Sequence, residues 1–156
     1  MINKDKTVTE LFNSYSNDVL NYSMSILKDY DEAKDAVQEV FVRYIKNENS
    51  FRGDCSYKTW LLTITRNYCL KKLNGRAGKA ETIDDDLVES SGTSIETRIS
   101  LNDALARLSK EEYELIYLRD YECHTYQEMA LILGITVDNV KVKLFRVRKH
   151  LRKYLE

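Results

Sequence analysis

Hydrophobic positions recur at helical spacing throughout the first half of the chain. Between residues 10 and 27, apolar side chains return every three or four positions, which is typical of one buried helix face: Leu11, Tyr15, Val19, Tyr22 and Ile26. A denser stripe runs from Ala33 to Ile45, with Asp29 or Asp31 placed to cap its start. After a polar break at residues 47–50, helical spacing resumes from Tyr57 to Leu73. The pattern predicts three helices in this half.

The second half contains two sequence signatures of a helix start. Ser109 and Thr125 are each followed three residues later by a glutamate, the spacing of a capping box. Leu115, Ile116 and Leu118 supply apolar contacts for the helix between them. Together with the apolar positions near Leu101, these signals predict four helices.

A helix-turn-helix is predicted from Thr125 to Leu151. Gly134 lies where the chain must turn sharply, a position that favours a residue tolerant of positive φ. Thr136 follows as the cap of a second helix. On that helix, apolar residues repeat at intervals of four, three and four and predict a buried seam: Val140, Leu144, Val147 and Leu151.

The segment between the two halves differs in composition. Residues 76–100 include the acidic run Asp84–Asp86 and a stretch of small, polar residues after Glu89. This composition is typical of a flexible linker. A loop packed on one domain is the alternative. We therefore expect an all-α protein with domains at residues 1–75 and 101–156, joined by a flexible acidic linker at residues 76–100.

The composition supports helices and argues against several classes of protein. The 156 residues include no proline and five glycines, so few positions interrupt a helix. No apolar run approaches the roughly twenty residues that cross a bilayer, and the first residues lack the apolar core of a signal peptide; we expect a cytoplasmic protein. The three cysteines form no C-x-x-C pair. His124 and Cys123 are adjacent, but two residues are too few ligands for a metal site. We expect no metal, no cofactor and, without a catalytic constellation, no enzymatic activity.

The net charge of −1 conceals a basic C-terminus. Residues 139–156 carry seven lysines and arginines and a single acid, Glu156. A basic helix after a glycine turn fits a recognition helix in the major groove, where Asn139 and Arg146 could read base edges. A solvated surface would normally mix both charge signs, so we favour contact with DNA.

Two faces in the first half carry candidate chemistry. The helix beginning near Asp31 places Glu32, Asp35, Gln38 and Glu39 opposite its apolar stripe. That face would either dock a basic partner or simply be solvated. The helix from Tyr57 is predicted to turn a basic face outward, made of Thr63, Arg66, Asn67 and Lys71, with Trp60 in the core. Just before it, the irregular stretch Phe51-Arg52-Gly53-Asp54 suits the capture of an unstacked base.

Three linked motifs resemble extracytoplasmic-function sigma factors of bacterial RNA polymerase. Residues 31–41, Asp-Glu-Ala-Lys-Asp-Ala-Val-Gln-Glu-Val-Phe, resemble the helix of that family that binds core polymerase. Residues 51–67, including Thr59-Trp60-Leu61 and Ile64-Thr65-Arg66-Asn67, resemble its segment for the −10 promoter element. Leu108, residues 126–130 and residues 140–148 resemble its domain for the −35 element.

The resemblance implies partners and a role for particular residues. The partners would be promoter DNA and core RNA polymerase, through the clamp helices of the largest subunit and the subunit that contacts the −35 domain; an anti-sigma factor is a further candidate. The polymerase-binding residues would be Glu32, Asp35, Gln38 and Glu39. The −10 residues would be Phe51, Arg52, Gly53, Asp54, Lys58, Arg66, Asn67 and Lys71. The −35 residues would be Arg119, Tyr126, Gln127, Thr136, Asn139, Lys141, Lys143, Phe145 and Arg146.

The sequence departs from the family pattern at several of these positions. Val142 stands where serine is common, and Asp138-Asn139 replaces glycine-threonine. The negative charge of Asp138 interacts favourably with the helix dipole, but it also repels phosphate. Thr63 and Thr65 stand where the family often has a larger residue or alanine. These departures concern how the DNA bases would be read.

Two other functions remain as alternatives. A stand-alone helix-turn-helix regulator would bind a two-fold operator as a dimer, tightly and without polymerase. An interaction protein with a basic tail would bind an acidic partner, but it would not explain the motifs in residues 31–67.

Overall fold

The computed structural model describes residues 7–47, 55–77 and 100–155. In these ranges the chain forms helices and no strand: α1 (Val8–Leu27), α2 (Tyr30–Lys46), α3 (Tyr57–Ala77), α4 (Leu101–Ala106), α5 (Lys110–Ile116), a π-helical turn (Tyr117–Tyr121), α6 (Tyr126–Leu133) and α7 (Val137–Leu155). The predicted all-α architecture with two helical domains is confirmed. The acidic stretch at residues 78–99 lies outside the described residues.

Helices α1, α2 and α3 form the first domain around one apolar cluster. Leu11, Val40 and Leu61 have no exposed surface there, and the ring of Phe12 meets Phe41 edge to face at 5.1 Å. The start of α2 is fixed by Asp29, whose side chain accepts a hydrogen bond from the Glu32 backbone N–H at 3.0 Å. The predicted cap is therefore Asp29, and the apolar stripe of α2 faces the core.

Helices α4 to α7 form the second domain. Both predicted capping boxes are present: Ser109 with Glu112 at the start of α5, and Thr125 with Glu128 at the start of α6. The buried seam of α7 packs on this core, with Val140, Leu144 and Val147 at most 2% exposed. The capped helices and their common core hold α7 in a fixed orientation.

The π-helical turn after α5 was not predicted from the sequence. The backbone of α5 continues into Tyr117–Tyr121 with a wider turn, and a π-turn inserts one extra residue per turn. Tyr117 lies in this turn, buried between the two domains, and Tyr121 is exposed. No helix within the described ranges is long and apolar enough to span a membrane.

Candidate nucleic-acid and polymerase interface

The turn between α6 and α7 has the geometry that the sequence predicted. Gly134 ends α6 in the left-handed region with φ of 68°. The Thr136 side chain then accepts a hydrogen bond from the Asn139 backbone N–H at 3.1 Å and caps α7. Because glycine has no Cβ, it adopts this φ without the steric strain of other residues. The turn therefore sets the angle at which α7 projects.

The surface of α7 away from its buried seam carries the predicted −35 residues. Asn139, Lys141, Phe145 and Arg146 are exposed, and Phe145 is 69% exposed. A large aromatic ring in water among basic side chains is an unusual surface for a protein with no partner. Lys143 is less available, because its ammonium group lies 2.7 Å from Glu111 of α5.

The −35 candidates ahead of α7 form a small structural unit. The Arg119 guanidinium donates a hydrogen bond to the His124 carbonyl at 2.7 Å and lies 4.5 Å from the centre of the Tyr126 ring. Gln127 is exposed at the start of α6, where a helix N-terminus points its free N–H groups outward. Arg119 and Tyr126 thus hold each other in place near the start of α6, where Gln127 is exposed.

The acidic side of α2 is partly open to solvent. Asp35 and Gln38 are exposed, whereas Glu39 is half-buried and forms an ion pair with Arg43 one turn later at 3.2 Å. Glu32 is half-buried in the first turn, where its charge favours the helix dipole. The four predicted residues lie on one side of one helix.

The −10 candidates divide into three groups. Phe51, Arg52, Gly53 and Asp54 lie outside the described residues. Asn67 and Lys71 are exposed on α3. Lys58 and Arg66 are half-buried and face the second domain, so the prediction that Arg66 points outward is wrong.

The second domain packs directly on α3, and carboxylates face its polar side. Glu114 of α5 is 8% exposed, and its Oε1 accepts hydrogen bonds from Arg66 Nε at 2.6 Å and from the Tyr22 hydroxyl at 2.5 Å. Glu122 accepts one from Lys58 at 2.8 Å. Burial lowers the pKa of Lys58, but the contact with Glu122 outweighs this effect and leaves that pKa raised, so the ammonium stays charged.

Apolar packing supports the same interface. Tyr22 of α1 and Leu62 of α3 are buried in the cluster that forms the core of the second domain. The Tyr22 ring stacks on Tyr117, with centroids 5.8 Å apart and planes 7° from parallel. This contact was not predicted from the sequence. Its one available signal was Glu114, an acid directly before the apolar pair Leu115 and Ile116 in a helix predicted to be buried.

Two departures from the family pattern have a structural role in α3. The Thr65 hydroxyl is fully buried and donates to the Leu61 carbonyl at 2.7 Å, and Thr63 donates to the Thr59 carbonyl at 2.8 Å. Such bonds satisfy a hydroxyl within its own helix. Thr65 is therefore not placed to contact DNA in this arrangement.

His124 lies beside the interface and is 3% exposed. Burial lowers its pKa, although the carboxylate of Glu128, 3.9 Å from Nδ1, opposes that shift. Within the part of the chain that the structure describes, no group of three or more potential metal ligands occurs around it or elsewhere.

Comparison with known proteins assigns both domains. The family model for Sigma-70 region 2 matches residues 11–78, and that for Sigma-70 region 4 matches residues 98–151. The chain is 30% identical to the extracytoplasmic-function RNA polymerase sigma factor SigM of Bacillus subtilis, over 94% of this chain and 93% of SigM. It is 27% identical to the RNA polymerase sigma factor YlaC of the same organism, over 94% and 91% of the two chains.

Solved structures show the same fold. The sigma factor RpoE from Bartonella quintana, crystallised with the anti-sigma factor NepR, superposes with a TM-score of 0.70 at 23% identity, over 94% of this chain and 95% of that one. CnrH, solved with the cytosolic domain of CnrY, gives a TM-score of 0.67 at 18% identity, over 95% and 86%. With both regions present in order and a full-length relative at this identity, the chain belongs to the extracytoplasmic-function sigma factors, which bind core RNA polymerase and direct it to promoters.

Proposed function

We propose that two helices of this sigma factor share promoter recognition and that a third helix binds core polymerase. Helix α7 enters the major groove of the −35 element, α3 and the residues before it read the −10 element, and the acidic side of α2 docks on basic clamp helices of the polymerase. The observation that carries the −35 assignment is the exposed set on the capped helix α7: Asn139, Lys141, Phe145 and Arg146.

The chemistry of α7 supports this assignment. Lysine and arginine neutralise phosphates and release counterions, which supplies affinity without sequence preference. Asn139 and Arg146 can form paired hydrogen bonds to adenine and guanine edges, respectively. Phe145 offers an apolar surface to a thymine methyl group. Val142 is 47% exposed on the same side and offers a second apolar contact.

The −10 assignment rests on α3 and on residues outside the described ranges. Phe51 supplies a ring on which an unstacked base can lie, and Arg52 and Asp54 supply groups for its edge. Asn67 and Lys71, exposed on α3, are positioned for the flanking DNA. Lys58 and Arg66 would join them if released from Glu122 and Glu114.

We further propose that the chain acts in the cytoplasm, where the polymerase is found, and that it has no catalytic activity of its own. Sigma factors contribute binding and recognition, and polymerase supplies the chemistry. The similar structure of RpoE, solved with the anti-sigma factor NepR, supports a protein inhibitor as a further partner of this chain. A stand-alone dimeric regulator is not favoured, because it would not account for the region 2 match.

Reconstituted transcription tests this function. Core polymerase mixed with the purified chain should initiate at one promoter class in a genomic template library, and sequencing the transcripts would identify both elements. The chain without core enzyme should bind the same promoters weakly. Failure to initiate on any template, or tight two-fold binding without polymerase, would contradict the proposal.

A further inference from the structure

One line of exposed residues runs along α7 directly opposite its buried seam. This outer line consists of Asp138, Val142, Phe145 and Lys149, spaced at intervals of four, three and four. Each of them precedes a seam residue by two positions, and residues two positions apart lie about 200° apart around an α-helix. The outer line is therefore the part of α7 that lies deepest in a groove when the helix docks by its exposed side.

Basic and amide side chains flank the outer line. By the same helical geometry, the exposed Lys141 and Arg152 lie on one flank, and the exposed Asn139 and Arg146 lie on the other. Side chains on the flanks reach the phosphate backbone and the margins of a groove, whereas those in the centre meet the base edges. Asp138 fits only the centre, because phosphates would repel its charge. This charge pattern places the first three residues of the outer line against the bases.

Asp138 is available to accept a hydrogen bond from DNA. It is exposed in the first turn of α7, and its carboxylate forms no ion pair or side-chain hydrogen bond with another residue that the structure describes. In the major groove, the amino group of cytosine is a donor to acidic side chains. Guanine and thymine present acceptors there, and the adenine amino group lies beside the N7 acceptor, which repels a carboxylate. Asp138 therefore favours cytosine.

Val142 and Phe145 form the apolar part of the outer line. They are 47% and 69% exposed, and neither side chain has a hydrogen-bonding group. Serine, which is common in the family at the position of Val142, can form a hydrogen bond with any base. A polar base edge that faces valine instead loses water without a replacement. Because the thymine methyl is the apolar group of the major groove, both residues favour thymine.

The spacing along α7 suits successive base pairs. Asp138 and Phe145 are separated by seven residues, which is about 10 Å along the helix axis at 1.5 Å per residue. This distance corresponds to about three steps between base pairs at 3.4 Å each. Moreover, the residues near the N-terminus of a recognition helix are the ones that contact base edges. Asp138, Val142 and Phe145 can thus face neighbouring base pairs at one time.

We propose that Asp138 and Val142, two departures from the family pattern, determine the −35 base preference of this protein. Asp138 accepts a hydrogen bond from a cytosine amino group, and Val142, together with Phe145, contacts thymine methyl groups at the neighbouring base pairs. The −35 element therefore contains a cytosine close to at least one thymine. This inference rests on the proposed entry of α7 into the major groove of that element.

Deoxyuridine tests the thymine contact, because it pairs as thymidine does and lacks only the methyl group. Promoters identified from the transcripts of the reconstituted holoenzyme are rebuilt with deoxyuridine at one −35 thymine at a time. At least one replacement should lower initiation about fourfold, the size expected for one buried methyl group. Val142→Ser should abolish this dependence at one position. Leu155→Ser, which removes an exposed apolar side chain of α7 outside the outer line, should retain it.

Base-pair replacement tests the cytosine contact. At one cytosine of the −35 element, the wild type should initiate at least fivefold less when another base takes its place, and Asp138→Ala should lose most of this discrimination. Asp103→Ala removes an exposed acid from the first turn of α4 and should keep the discrimination in full. If Asp138→Ala lowered initiation equally at all promoters, Asp138 would only stabilise the start of α7, and its proposed role would be wrong.

The outcomes separate this inference from the proposed function. Initiation that depends on the −35 sequence but responds to no deoxyuridine replacement would overturn the thymine contact, as would a −35 element without thymine on either strand. Unchanged discrimination in Asp138→Ala would overturn the cytosine contact. Failure of the wild-type holoenzyme to initiate, or indifference to the whole −35 sequence, would instead refute the proposed function.

Discussion

At the scale of single residues, the helix-turn-helix depends on one backbone conformation. Gly134 has φ of 68°, and a Cβ added there would meet no atom within 4 Å. Space is therefore not the constraint at this position. The constraint is the left-handed backbone conformation, because it brings any Cβ close to the following carbonyl of its own chain.

The same substitution at two glycines should have opposite effects. Gly134→Ala should lower the free energy of unfolding by about 1–2 kcal/mol through φ strain. Gly75→Ala, inside α3 and also without neighbours within 4 Å, should raise it by about 0.5–1 kcal/mol, because alanine loses less entropy in a helix. Urea denaturation of both variants gives the comparison. Equal effects would mean that the turn does not require positive φ.

His124 should make stability depend on pH. Burial lowers its pKa in the folded protein below the usual 6.5, so the unfolded chain takes up the proton first as the pH falls. The contribution of the neutral His124 ring to stability is therefore fully present above about pH 7. It is lost as the pH falls through 6.5 towards the pKa of the folded protein. The charged groups that face His124 are Asp18, Lys58, Glu122 and Glu128.

The measurement compares wild type with His124→Gln by urea denaturation between pH 7.5 and 5.5. We expect the wild type to lose more stability than the variant over this range. Parallel pH dependences in the two proteins would assign the effect to other groups.

At the scale of helices, the two sides of α7 have different surroundings. Its seam is buried in the second domain, and its other side is exposed and is the one proposed to bind DNA. Substitutions on the outer side should therefore change promoter choice and leave the fold intact.

Arg146→Ala should weaken −35-dependent initiation by about 1–3 kcal/mol if the guanidinium reads a base in bidentate fashion. Arg152→Ala is the control, an exposed arginine in a later turn of α7 outside the predicted set. Initiation rates at promoters with matched and altered −35 elements distinguish the roles. An equal loss at all promoters would make Arg146 a phosphate contact.

Helix α2 should carry the affinity for core polymerase. Asp35→Lys reverses the charge of an exposed side chain and should weaken binding to a basic surface at least tenfold at low salt, with unchanged helical content. Asn13→Lys, which places the same side chain on the exposed side of α1, should bind nearly as the wild type does. Binding to immobilised core enzyme measures both. Full affinity of Asp35→Lys would remove this residue from the interface.

At the scale of the whole molecule, the two helical domains are packed on each other. The interface combines a buried tyrosine pair with carboxylates that engage Arg66 and Lys58. When water can solvate both charges on opening of the interface, the net contribution of such buried ion pairs to stability is small. The cost of desolvation then offsets their attraction.

The sequence by itself determined the local structure and the family. Caps at Asp29, Ser109, Thr125 and Thr136, and the left-handed turn at Gly134, depend on residues within a few positions of each other, so local chemistry specifies them. The buried seam of α7 follows from helical periodicity in the same way. Residue patterns that depend on neighbours along the chain can be predicted without the fold.

Only the tertiary structure decided where Arg66 and Lys58 point. Periodicity separates an apolar face from a polar one, but it does not say whether the polar face meets water, DNA or another domain. The partners Glu114 and Glu122 lie 48 and 64 residues away along the chain, beyond the reach of any local pattern. Packing of the second domain on α3 makes the acids on α5 and directly after the π-turn partners of Arg66 and Lys58.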